Sequence, residues 1–164
     1  MKTLYIVRHA KSSWKVKDIP DEERPLLEKG KKRTKKIIDH LQDRDVTINY
    51  LVTSHAVRAL ETAKMLAKGL NYPSDKIRVD KRLYHADSDE LLNEFYDIPL
   101  RFNSVMLVGH NPALTNFVNR FIKPKIDWIP TSGVVGIEFD TDKWEEIVEA
   151  KSRLKFVIFP KMLP

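Results

Sequence analysis

Three short segments of the chain end in side chains that can bind and attack an anion. Arg8 and His9 close the run LYIVRH, His55 and Arg58 follow YLVTS, and His110 with Asn111 follows VMLVG. An arginine guanidinium is a planar fork of donors that matches phosphate oxygens, and two of them suit a dianion. Histidine titrates near neutrality, with an unperturbed pKa of ~6.5, and nearby positive charge disfavours its protonated form. A neutral imidazole nitrogen in line with phosphorus is a competent nucleophile. A second histidine acting as a donor can stabilise the equatorial oxygens during transfer. These residue types together suit phosphoryl transfer.

That chemistry requires elements that bring the three segments together. The apolar runs TLYIV, YLVTS, VMLVG, VVGIEF and LKFVIF are short and rich in Val, Ile, Phe and Tyr, so they read as strands. Helical patterns lie between the first three. Residues 25–42 place Leu27, Ile37, Ile38 and Leu41 near one face, and residues 56–70 do the same with Val57, Leu60, Ala63, Leu66 and Ala67 before Gly69. Residues 87–98 begin with a cap at Asp87 or Ser88, and Pro112 opens a further helix. Strands alternating with helices predict a single α/β domain over residues 1–164, with a mostly parallel central sheet flanked by helices. In such a sheet ligands bind outside the carboxyl ends of the strands. Arg8, His9, Arg58, His110 and Asn111 therefore converge on one edge. Lys11, Ser12 and Arg24 are auxiliary phosphate contacts, Trp14 belongs at the rim, and His55 sits near it. Trp128 and Trp144 read as packing residues, and His40 lies away from the site.

Composition narrows the classes. The chain has 164 residues, no cysteine and a net charge of +6. Disulfides and thiolate chemistry are excluded, and a cytoplasmic location is the expectation. The first apolar run reaches Arg8 too soon for a signal peptide, and nothing is long enough to cross a membrane. The first fifty residues hold 13 of the 29 Lys+Arg against 8 of the 23 Asp+Glu. Most of that basic run, KGKKRTKK, falls on the face opposite Ile37, Ile38 and Leu41 and reads as a solvated helix face, with acidic partners favoured by steering. No aromatic and basic platform accompanies it, so nucleic acid is not an expected partner.

The motifs VRHA, SHAVRALETA and VGHNP, in this order, resemble the histidine phosphatase superfamily (branch 1), and its small SixA-type phosphohistidine phosphatases most of all. ERPLLEKG and RLYHADSDELL also look like family landmarks. The resemblance implies a three-layer, phosphoglycerate mutase-like α/β domain that needs no metal or organic cofactor. It makes His9 the phosphorylated nucleophile, with Arg8, Arg58 and His110 completing the phosphate pocket. The chain departs from the family pattern at Ala10, where glycine is usual, and at Leu27, where threonine is common. His85 stands where many members carry the glutamate that acts as general acid; Asp87, Asp89 and Glu90 lie close by. An alkoxide leaving group needs a proton, and general acid catalysis is worth ~10²–10⁴-fold. An imidazole leaving a P–N bond demands far less. The expected substrate is thus a phosphorylated protein, a phosphotransfer domain or another phosphohistidine protein, with small phosphoesters as the alternative. A non-catalytic phosphate-binding module and a metal hydrolase using His9, His55, His85 and His110 are the rival readings. Two arginines at the site argue against a divalent cation.

Overall fold

Leu4, Tyr5, Ile6 and Val7 are all buried, because their strand runs through the middle of a sheet covered on both faces. The structure is a computed structural model that describes residues 1–15 and 17–164. In chain order the strands are β1 (Lys2–Arg8), β2 (Tyr50–Thr53), β3 (Arg78–Val79), β4 (Ser104–Gly109), β5 (Val134–Phe139) and β6 (Ser152–Ile158). The helices are α1 (Glu28–Asp43), α2 (Val57–Gly69), α3 (Ser88–Leu91) and α4 (Ala113–Val118). The strand order is β3-β2-β4-β1-β5-β6. The first four positions are mutually parallel, while β5 runs antiparallel to both β1 and β6. The sheet is mostly parallel, as its sequence implies.

Alternation along the strands divides the core in two. Tyr5, Val7, Leu51, Met106 and Val108 face α1 and α2, against Ile37, Leu41, Ala63 and Leu66. Leu4, Ile6, Val52, Val105 and Leu107 face the other way, against Phe95, Leu114, Phe117 and Trp144. Trp144 is fully buried, as expected, and its indole N–H donates to Phe102 O at 2.7 Å. The glycine of ERPLLEKG sets how the chain after His9 packs. A Cβ on Gly30 would lie 2.4 Å from Lys11 O, so only glycine lets the first turn of α1 sit against that loop.

Three boundaries differ from the sequence expectation. Helix α1 starts at Glu28 rather than Pro25, because Leu26 pairs with Ser12 in an isolated bridge and Leu27 is extended. The helix over 87–98 is one α turn followed by a 3-10 segment at Leu92–Tyr96, entered through a capping box of Asp87 and Glu90. Strand β3 is two exposed residues, too short to leave a pattern.

Candidate phosphate site

Register fixes where the strand ends lie. Arg8 pairs with Gly109 across β1 and β4, and Thr53 pairs with Val108 across β2 and β4. The residues that follow each strand therefore emerge at one edge. Because β5 is antiparallel, its start, with Thr131 and Ser132 just before it, reaches the same edge. Ser132 N donates to Arg8 O at 3.1 Å and to His9 O at 3.2 Å, and His9 N donates to Gly109 O at 3.2 Å. The cleft so formed has a volume of about 530 Å³.

Arg8, His9, Lys11, Ser12, Trp14, Arg24, Arg58, His85, His110 and Asn111 all line this cleft. His9 is 7% exposed, and its ring lies 5.1 Å from that of His110. His9 Nδ1 is 2.8 Å from Ala10 O. A carbonyl can only accept, so Nδ1 carries the proton and Nε2 keeps its lone pair. Burial, opposed by that bond and reinforced by the Arg58, Arg8 and Arg24 guanidiniums, holds the His9 pKa down at about 4. Burial, then His9 and Arg58, lowers His110 to about 3. Both imidazoles are neutral at pH 7. His110 Nε2 lies 2.8 Å from Ser54 Oγ, which also accepts from Ala56 N.

The arginines are held from behind. Arg8 Nη1 donates to Ile129 O at 3.1 Å, and its guanidinium lies 5.8 Å from the ring centroid of Trp128. Trp128 is 51% exposed, so it flanks Arg8 instead of packing in the core, contrary to expectation. Arg58 is 6% exposed at the start of α2. Thr62, one turn on, donates to Arg58 O at 2.6 Å and accepts from Ala10 N at 2.9 Å. Arg8 Nε and Arg58 Nε are buried and find no partner among the described residues. Asn111 lines the cleft, but its amide is taken up within the loop. It donates to Ile129 O at 2.8 Å and accepts from Thr115 N and Oγ1.

The residue most absent from the sequence reading is Asp21. It sits in a 3-10 turn, Asp21–Glu23, and its carboxylate accepts from Arg24 Nε and Arg58 Nη2, each at 2.9 Å, and from Tyr84 OH. Its main-chain oxygen accepts from Arg58 Nη1 at 2.8 Å. Those bonds overcome partial burial and hold its pKa down at about 2, led by Tyr84 and then Arg58. It is the one carboxylate lining the cleft among the described residues. The spacing of Asp21 and Arg24, three apart in a short turn, was the available signal. Tyr84 also escaped notice beside His85. Its ring lies edge-on to His85 at 4.3 Å, to His110 at 5.3 Å and to His55 at 5.3 Å. His55 stays behind that ring, 3.7 Å from Glu22, and does not line the cleft. Trp14 is 78% exposed with the Arg24 guanidinium 3.4 Å over its ring, at the rim as expected. Asp87 caps α3 and Asp89 pairs with Arg120, so both are engaged outside the cleft. His40 bonds Arg44 on α1, remote from the cleft. Among the described residues no group of three or more His, Asp and Glu is placed to hold a metal ion. Among the described residues no helix is long and apolar enough to cross a membrane.

The two depressed histidines tie stability to pH. Between pH 6.5 and about 4 the unfolded chain binds protons that the folded site refuses, so the histidines' contribution is full above pH 6.5 and falls as pH drops through that window, while Glu94, whose carboxyl burial raises to about 7, contributes in the opposite sense. A shift of that size is worth on the order of 3 kcal/mol. Glu94 is common to the parent and His9→Gln, so between pH 7.5 and 4.5 the urea midpoint of the parent is expected to fall relative to that of the variant. Equal losses in both proteins would contradict the burial of a neutral His9.

The histidine phosphatase superfamily (branch 1) family model matches residues 4–98. The uncharacterized protein ML1117 of Mycobacterium leprae (strain TN) is 30% identical over 112 residues, 66% of either chain, so the match spans about two thirds of that relative. A candidate phosphohistidine phosphatase, SixA from Agrobacterium tumefaciens, superposes with a TM-score of 0.81 and is 25% identical over 96% of this chain and 97% of its own. SixA from Nakamurella multipartitia shares the fold with a TM-score of 0.79, at 22% identity over 97% and 96% of the two chains. A strand-end histidine, two arginines beside it and a second neutral histidine thus come with a family assignment: the chain belongs to the histidine phosphatase superfamily, branch 1.

Proposed function

We propose that the chain is a phosphatase working through a phosphohistidine intermediate on His9, and that its substrate is a phosphohistidine side chain of a protein. The observation that carries this reading is the free Nε2 lone pair of a buried, neutral His9 beside Arg8, Arg58 and His110. The buried Nε–H donors of the two arginines and the cationic lining suit a phosphoryl dianion. His9 Nε2 forms a bond to phosphorus as the P–N bond of the substrate breaks, and the departing imidazole takes its proton from water. Water then attacks phosphorus, the P–Nε2 bond breaks, and inorganic phosphate leaves a neutral His9. Arg8, Arg58 and His110 hold the equatorial oxygens through both steps. Lys11 and Ser12 extend that shell, and Asn111 positions the loop that carries His110.

The choice of leaving group follows from the acids present. Asp21 is held ionised by Tyr84, Arg58 and Arg24, so it has no proton to give an alkoxide at neutral pH. His85 is exposed at the rim and is the remaining donor. An imidazole leaving group tolerates such a site better than a sugar alkoxide. The whole-chain likeness to the Agrobacterium SixA supports the same choice.

The test is to incubate the protein with a radiolabelled phosphohistidine protein, quench in alkali and map acid-labile, base-stable phosphate. The label is expected on His9, and kcat/KM for phosphohistidine is expected to exceed that for phosphoserine or a sugar phosphate by ~10²-fold or more. Faster turnover of the esters would favour a small-molecule phosphomonoesterase. No adduct and no hydrolysis of any of these would leave a phosphate-binding module.

A further inference from the structure

The basic run of α1 is not one uniform solvated face. At 100° per residue, Lys29, Arg33 and Lys36 fall on a single stripe at i, i+4 and i+7, while Lys31, Lys32 and Lys35 turn elsewhere. Arg33 lines the phosphate cleft. It also lines a second, adjoining cleft of about 250 Å³, together with Lys36, Lys161, Pro130, Thr131 and Pro160. Thr131 is likewise common to both. The second cleft has three cations and no carboxylate in its lining. Among the described residues none of Lys11, Arg33, Lys36 or Lys161 forms a salt bridge, although Lys31 pairs with Glu28 and Lys143 with Glu146. The stripe from Lys29 to Lys36 is about 10 Å long at 1.5 Å per residue. Its walls include two prolines, whose fixed φ gives a stiff surface.

We propose that this stripe, with Lys161, is a docking track for the acidic surface of the phosphorylated protein whose phosphohistidine enters the cleft. This rests on the phosphohistidine reading of the site. A free metabolite bound beside His9 has no use for cations set about a helical turn beyond Arg33, outside the cleft. A protein carrying carboxylates around its phosphorylated side chain does. Arg33 and Thr131 join the two clefts, so a side chain delivered to His9 brings its flanking acidic residues over Lys36 and Lys161. Such complementarity raises association rates and falls with salt.

The test uses the full chain and the double variant Lys36→Glu/Lys161→Glu, both exposed or rim positions away from His9. The probes are free phosphohistidine and an acidic histidine-phosphotransfer domain phosphorylated with phosphoramidate. The variant is expected to lose about tenfold in kcat/KM on the phosphorylated domain in low salt. On free phosphohistidine it should stay within twofold, and the difference should shrink at high salt. Affinity for the unphosphorylated domain, measured by calorimetry, is expected to fall in parallel. That arm reports docking even if neither substrate is turned over, a result that would remove the phosphatase reading instead. Equal effects on both substrates, or unchanged affinity for the domain, would overturn the docking track. Added tripolyphosphate serves as a control: if it inhibits the parent but not the variant while the domain is unaffected, the second cleft is a phosphate subsite and the docking track is overturned.

Discussion

Alanine in place of His9 is expected to bring hydrolysis of phosphohistidine to background, a loss of more than about 10³-fold. Among the described residues no other nitrogen in the cleft combines a free lone pair with the same position. His110 is engaged with Ser54, and His85 lies at the rim. The fold should survive. His9→Ala removes the Nδ1–H bond to Ala10 O, worth about 1 kcal/mol. It leaves the main-chain bonds that fix the loop, from His9 N to Gly109 O and from Ser132 N to His9 O. It also relieves burial of an imidazole among three guanidiniums. Circular dichroism and a thermal melt would establish folding, and alkaline-stable phosphate should vanish from the variant. Activity within tenfold of the parent would mean that another group attacks phosphorus.

Arg58→Met is expected to lower kcat/KM by ~10²–10³-fold, because a preorganised cation at developing charge is worth several kcal/mol in a buried site. Methionine keeps much of the apolar stem, so packing on α2 changes little. Arg58→Lys should recover no more than about tenfold, since an ammonium cannot reproduce the fork that reaches both Asp21 O and Asp21 Oδ2. The Met variant should also move a second property. Asp21 loses its two Arg58 bonds, and its carboxyl should rise from about 2 toward the ordinary range. Carbon-detected NMR titration of the Asp21 carboxyl would show this. An unmoved Asp21 with full loss of activity would separate the two roles of Arg58.

The parts of the site legible in the sequence are those attached to parallel strands. An apolar run that ends on Arg–His, Ser–His or Gly–His announces both a buried strand and its exit, so β1, β2 and β4 declared themselves. Gly69 ends α2 as expected, and Asp87 caps α3. Asp21, Tyr84 and Thr131 were not legible in the same way. Asp21 and Tyr84 lie in or beside 3-10 turns, which have no long hydrophobic period. Thr131 comes to the edge because β5 is antiparallel, a fact of pairing that no local pattern encodes. The start of α1 differs from expectation for a related reason. Pro25 and the following leucines look like a helix opening, but Leu26 pairs with Ser12 and stays extended. Trp128 departs from expectation because an indole usually seeks the core, whereas here Arg8 lies against its exposed ring.

One hydroxyl has a consequence for how substrates are told apart. Thr62 joins Ala10 N to Arg58 O, so the loop after the nucleophile and the first turn of α2 share a joint between positions 52 residues apart. That joint braces the floor of the cleft against splaying. Under the function proposed above, discrimination between substrates falls to the residues at the mouth, Trp14, Lys11 and His85, which line the cleft. On that reading, substitutions at the rim are expected to change which substrate is accepted while leaving the Thr62 joint beneath His9 and Arg58 intact.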